Sequence, residues 1–266
     1  GALAPEAPLG RVVFENVTFA YGRGARQLHN INLAIEPGQT VGIIGPTGSG
    51  KTTLTNLISR FYDVQSGSVQ LDGTDIRDVE LKWLRSNIAI VPQDAYLFSN
   101  TMAKNIAFAR PTSNLKAITE AAERAQASRF IEALPDKYST IVGERGTGLS
   151  GGQRQRVTIS RALLMNAAIL IMDDSTASVD TVTERLIREA LKDAFTGRTT
   201  ILIGQRVSTV MDCDAIIVLD NGKIVDQGTH KQLLAANGLY SRISRLQSPD
   251  QQLESDDLSV SGTLEG

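Results

Sequence analysis

Cysteine is nearly absent. Cys213 stands alone in a chain of 266 residues, so no internal disulfide can form, and a small core or surface residue is its ordinary role. A reducing compartment fits that usage. An excess of one charge is also missing: 27 Lys and Arg face 29 Asp and Glu, a net charge of −2. That balance gives no support to a nucleic-acid partner or to adsorption on a charged membrane surface. Long hydrophobic runs are missing too. The longest, such as TVGIIG and AAILIM, are strand-sized and fall short of the roughly 18–20 residues that span a bilayer. No signal peptide is visible and the chain opens on Gly rather than Met, so an excised domain of a longer protein is expected. What is present, 41% apolar and 21% charged residues, suffices for a globular protein with a sizeable core.

Strand and helix patterns alternate along the chain. Residues 1–10, GALAPEAPLG, read as a linker. RVVFENVTFAY and LHNINLAIEPGQ alternate as half-buried strands, and TVGIIG is a short buried strand that empties into a glycine-rich loop and the helical run KTTLTNLISRF. SGSVQLDG and SNIAIVPQD return to strand. From about 97 to 165 the character changes: KAITEAAERAQASRFIEAL has helical spacing and good helix formers, with no strand-like run inside it. AILIMD, TTILIG, AIIVLD and KIVDQG follow as strands, with helical stretches such as TERLIREALKDAF between them. The turn DNG at 220–222 signals a hairpin. HKQLLAANGLYSRISRLQ reads as a final helix, and residues 248–266 are polar and acidic enough to be a disordered tail. The fold class is α/β with an inserted helical subdomain.

GPTGSGKT, residues Gly45, Pro46, Thr47, Gly48, Ser49, Gly50, Lys51 and Thr52, matches G-x-x-x-x-G-K-[ST] between a strand and a helix, the context that pattern requires. Its glycines let backbone N–H groups turn inward around phosphate oxygens, and the following helix presents its positive end to them. Lys51 can reach the β- and γ-phosphates and the Thr52 hydroxyl can ligate Mg²⁺, so a nucleoside triphosphate is the expected ligand. A second feature is AILIMDDSTASVD, in which a buried strand runs into two adjacent carboxylates. Asp173, ending that strand, is placed to hold Mg²⁺ through water as in other P-loop proteins.

LSGGQRQR adds a third element, with Ser150 a good helix N-cap and glycines in the first turn. Together the three resemble the nucleotide-binding domain of ATP-binding cassette (ABC) transporters over about Arg11–Gln247. The resemblance implies a P-loop NTPase (RecA-like) core with a mostly parallel sheet and an antiparallel β subdomain on its N-terminal side. It implies ATP and Mg²⁺ as cofactors, with Tyr21 stacking on adenine and Gly45 to Thr53 cradling the phosphates. Thr52, Gln93 and Asp173 would form the metal shell. Leu149, Ser150, Gly151, Gly152 and Gln153 would reach the ATP held by a second such domain, and Asp180 would communicate between the two sites. The Gln93 region and the loop Thr140–Gly146 would meet transmembrane domains, placing the chain on the cytoplasmic face of a membrane, expected to be a bacterial inner membrane.

Two residues depart from the pattern. The family carries glutamate where Asp174 stands and histidine where Gln205 stands. Aspartate keeps the charge but loses a methylene of reach, and glutamine bonds phosphate without carrying a proton. With Lys51 and Gln93 these are the catalytic candidates. Both changes at one site describe an exporter half that binds ATP, turns it over slowly and completes a different partner chain's competent site through its own LSGGQ. A homodimeric exporter with slow turnover, a soluble ABC ATPase and a non-hydrolysing regulatory module are the alternatives.

Overall fold

A computed structural model describes residues 3–4, 7–22, 24, 26–173, 191 and 195–247. Asp174, Asp180, most of TERLIREALKDAF and the expected disordered tail lie outside the described residues. Two sheets form the frame. β1 (Val12–Ala20), β2 (Arg26–Ile35), β4 (Ser66–Leu71) and β5 (Thr74–Asp75) make an antiparallel sheet in the order β2-β1-β4-β5. β3 (Thr40–Ile44), β6 (Ile88–Val91), β9 (Ile169–Asp173), β10 (Thr199–Gly204), β11 (Ala215–Asp220) and β12 (Lys223–Gly228) make the second, in the order β12-β11-β3-β10-β9-β6. All neighbours in it are parallel except the β11–β12 hairpin. That hairpin turns through Asn221 and Gly222 at φ 45 and 72, as the DNG signal requires.

The core follows from the pattern of apolar runs. Ile43, Ile169, Ile171, Ile201, Ile203 and Ile217 are almost fully buried and pack with Phe14, Leu28, Ile35 and Leu57 between the two sheets and α1 (Lys51–Ile58). Strands buried on both faces need continuous apolar sequence, which β9 has over Ile169–Met172 and β10 over Ile201–Ile203. α2 (Leu81–Ser86) leads into β6. A small two-stranded sheet of β7 (Asn100–Thr101) and β8 (Ile141–Val142) accompanies α3 (Met102–Ile106), α4 (Leu115–Arg124) and α5 (Ser128–Glu132). These helices pack with α6 (Gly151–Met165) around a separate cluster that includes Leu97, Met102, Ile131, Tyr138 and Val157.

Two helices end where their patterns run on. KAITEAAERAQASRFIEAL divides at Gln126, which takes φ 56. There Ala127 N–H donates to the Ala122 carbonyl at 2.7 Å and Gln126 N–H to Glu123 at 2.9 Å, the paired bonds of a Schellman cap built without glycine. HKQLLAANGLYSRISRLQ divides into His230–Ala235 and Leu239–Leu246, with Asn237 at φ 53 before Gly238. The Asn-Gly pair is a breaker that the apolar spacing hides.

Residues 9–11 are tied down. Asp72, in the Asp-Gly turn between β4 and β5, accepts from the N–H groups of Leu9 (2.8 Å), Gly10 (3.3 Å) and Arg11 (2.7 Å). Thr199 Oγ1 donates to the Gly10 carbonyl at 2.7 Å. Asp72→Asn keeps a residue that tolerates the left-handed turn but removes the charge and one acceptor oxygen. We expect it to lower stability by about 1–2 kcal/mol in chemical denaturation and to speed amide exchange at Leu9–Arg11. Unchanged exchange there would show that Asp72 does not hold this segment.

Candidate functional site

Register brings the candidate residues together. Gly204 pairs with Ile44, Ile203 with Asp173, and Met172 with Val91. The C-terminal ends of β3, β10, β9 and β6 therefore lie along one edge, and the segments carrying Gly45–Gly50, Gln205, Asp173 and Gln93 all leave the sheet there. Ligands of open parallel α/β sheets bind outside this end of the strands.

The loop between β3 and α1 is shaped by close approach. A Cβ at Gly45 would run into the Leu219 carbonyl oxygen of β11, so only glycine lets the loop leave the sheet here. Gly50, the N-cap of α1, sits at φ 104 with no side-chain cap, leaving the helix's first N–H groups facing the loop. Lys51 is buried, and its Nζ donates to the carbonyls of Gly45 and Pro46, both at 2.8 Å. Ser49 is buried with no partner for its hydroxyl among the described residues.

Thr52 Oγ1 donates to Asp173 Oδ2 at 3.0 Å, linking α1 to the end of β9. Burial pushes the Asp173 carboxyl above its ordinary value of 3.8, while the Thr52 bond and the Lys51 charge pull the other way. Tyr21 borders the same helix: its hydroxyl donates to Thr53 Oγ1 at 3.1 Å. Its ring stands edge-on to Phe19 (4.9 Å, 86°) and to Tyr62 (5.0 Å, 84°) and is 39% exposed. Tyr62 carries no motif. Its one sequence signal is an aromatic pair, FY, just after the α1 pattern.

Gln93 and Gln205 are both exposed. Behind Gln93, the buried Gln155 of α6 donates to the Pro92 carbonyl at 3.3 Å, fastening α6 to the end of β6. The signature residues form a capping box: Ser150 Oγ accepts from Gln153 N–H (3.2 Å), and Gln153 Oε1 accepts from Ser150 N–H (2.9 Å). The hydrogen bonds described for Leu149–Gln153 stay within the preceding turn and α6, and none reaches Gly45–Thr53. Thr140–Gly146 carries β8 and a tight turn with Arg145 at φ 54.

A further exposed surface begins in the segment that follows Gln93 in the chain. Tyr96, Phe98 and Phe108 are exposed, Phe98 and Phe108 stacked at 4.3 Å. The Arg161 guanidinium lies 5.7 Å from the Phe98 ring centre and 5.4 Å from that of Phe108, and burial lowers its pKa to about 10.

The Asp173 shift has a stability consequence. A carboxyl whose folded pKa is raised binds its proton more tightly when folded, so its ionisation costs stability. The folded state is favoured most below 3.8 and loses that contribution as pH rises through the raised value. Asp173→Asn keeps a Thr52 partner without the buried charge, so the ligand-free chain should melt higher at neutral pH and lose this part of its pH dependence. A lower Tm would mean that ionised Asp173 is net stabilising.

Comparison with known proteins identifies the family. A family model described as ABC transporter matches residues 28–177. The chain is 46% identical over 255 residues to an ATP-dependent lipid A-core flippase of Chromobacterium violaceum, covering 96% of this chain and 44% of that protein. It is 45% identical over 250 residues to YknU of Bacillus subtilis, described as an uncharacterized ABC transporter ATP-binding protein, covering 94% and 43%. The structure of a bacterial Atm1-family ABC exporter with ATP bound superposes with a TM-score of 0.88 at 42% identity, over 93% of this chain and 43% of that one. The chain thus spans less than half the length of these relatives. With the family model matched over more than half of its length and relatives 45–46% identical over nearly all of it, the chain belongs to the ABC transporter family, as an ATP-binding ATPase domain.

Proposed function

We propose that this domain powers export across a membrane from its cytoplasmic face, as one half of a heterodimeric transporter whose own ATP site is hydrolytically impaired. Support for export comes from the relatives, described as a flippase and an exporter. Among the described residues no helix is long and apolar enough to cross a membrane, so the spanning segments would belong to other parts of the transporter. The reading rests above all on the convergence of Gly45–Thr52, Asp173 and Gln205 on one sheet edge.

At that edge the residues divide the work. Tyr21 offers an exposed ring face to adenine. The N–H groups of Thr47–Thr53, which include the start of α1, would surround the phosphates. Lys51, now held by two loop carbonyls, exchanges one or both for β- and γ-oxygens. Thr52 and Asp173 present a hydroxyl and a carboxylate oxygen 3.0 Å apart, hard donors of the kind Mg²⁺ prefers. Among the described residues no group of three acidic, His or Cys side chains could form a cage of its own, which suits an ion held jointly with phosphates. When bound, magnesium would neutralise developing charge on the transferring phosphoryl group. Gln93 would complete that shell.

Asp174 would polarise the attacking water from one methylene too far away, and Gln205 would bond the γ-phosphate without a proton to exchange. Ser150, exposed at the N-cap of α6, and Gly152, half-buried in its first turn, would meet the γ-phosphate of a partner domain carrying the competent site. The exposed Tyr96–Phe98–Phe108 cluster, which begins just after Gln93 in the chain, and the loop Thr140–Gly146 would receive the transmembrane domains. Residues 1–10 would connect to them, with the helical subdomain at about 97–165.

Asp174→Glu with Gln205→His should raise turnover at this chain's P-loop on the order of tenfold to a hundredfold, more than either change alone. The measurement is single-site turnover in a heterodimer whose competent site is disabled and whose partner signature is intact. No increase would mean that these two residues are not what slows the site.

A further inference from the structure

We propose that Gln247 is a positioning residue for the γ-phosphate contact made by Gln205. This rests on the reading of Gln205 given above and extends it to a residue more than forty positions away in the chain. After Gly204 the chain bends through Gln205 and Arg206 and enters the short helix Val207–Val210. That helix has Arg206 at its N-cap, and no N-cap side chain bonds its first turn. The missing bond comes from the C-terminal helix, 40 positions along the chain. Gln247 Oε1 accepts from the Val207 N–H at 2.8 Å, and Gln247 Nε2 donates to the Gln205 carbonyl at 2.8 Å.

One side-chain amide thus grips residue 205 by its C=O and residue 207 by its N–H, as a neighbouring strand would. Only glutamine offers a donor and an acceptor at this reach; glutamate could cap Val207 but would set a carboxylate against the Gln205 carbonyl.

The grip is only as firm as its mount, and the mount is well anchored. Gln247 closes the helix Leu239–Leu246, its own N–H bonded to the carbonyls of Ile243 and Ser244. That helix is rooted by Tyr240, fully buried, whose hydroxyl pairs with His230 Nδ1 at 2.6 Å. Arg245 adds bonds to Asn237 and Ser241. Val207 and Val210, on the gripped helix, share a buried cluster with Tyr240 and Leu233. The C-terminal helix pair therefore sets the backbone position from which the Gln205 side chain reaches the sheet edge. A displacement of about 1 Å there matters on the scale of a hundredfold in rate.

The test is a double-mutant cycle on turnover at this chain's site in the full transporter, with amide exchange at Val207 followed in parallel. Gln247→Ala should lower kcat about tenfold with little change in KM for ATP, and Gln247→Glu should fall between. Val207 exchange should quicken in both variants, more in Gln247→Ala. In a Gln205→Ala background, Gln247→Ala should cost less than about twofold further, since there is no side chain left to position. Wild-type turnover in Gln247→Ala, or an equal loss in both backgrounds, would overturn the proposal while leaving Gln205 in its role. Wild-type turnover in Gln205→Ala alone would instead remove Gln205 from the reaction, and this inference with it.

Discussion

The hydrogen bond from Thr52 to Asp173 joins residues 121 positions apart, and the functional edge depends on it. The bond exists because β3, β10 and β9 run parallel in a register that ends them together. Parallel pairing forces long crossovers between neighbouring strands, and those crossovers carry the helices that bury the sheet. A carboxylate at such a strand end is costly unless something shares its charge. Here one hydroxyl and the nearby Lys51 offset part of that cost, and the rest remains as a raised pKa.

The same edge is reached from three sides by elements that do not belong to the P-loop. Tyr62 buttresses Tyr21 from the segment after α1. Gln155 fastens the signature helix to the strand end that precedes Gln93. Gln247 grips the backbone at Gln205. Each is a contact from one body of the fold to a loop at the sheet edge. The position of the helical region, and of the C-terminal helices, is thereby translated into the position of individual residues at the sheet edge.

Much of this was legible in the sequence because phosphate chemistry is local. The loop needs glycine where β11 crowds Gly45 and where Gly50 turns left-handed, and a lysine and hydroxyl next to them, so the site announces itself in eight consecutive residues. β9 and β10 were equally plain, since burial on both faces leaves uninterrupted apolar runs. The long-range contacts were not legible. A glutamine that grips a distant peptide looks like any other in the sequence: Gln247 has no motif, and Gln155, though inside LSGGQRQR, is not marked by it as the tie to Pro92. The break at Gln126 escaped because a Schellman cap usually carries glycine there and this one does not. The break at Asn237–Gly238 had a signal, overridden by the apolar spacing on either side. Asp174 and Asp180 lie outside the described residues, so their roles rest on the motif alone.

The central claim is that Thr52 and Asp173 at the strand edge hold a divalent cation together with the triphosphate gathered by Gly45–Lys51. Calorimetric titration of this chain with ATP, with and without Mg²⁺, tests it most directly when wild type and Asp173→Asn are compared. The account predicts that Mg²⁺ tightens ATP binding to wild type and that the gain largely disappears in the variant, while metal-free ATP binding is retained. An affinity in wild type that ignores Mg²⁺, or an equal gain in Asp173→Asn, would contradict it.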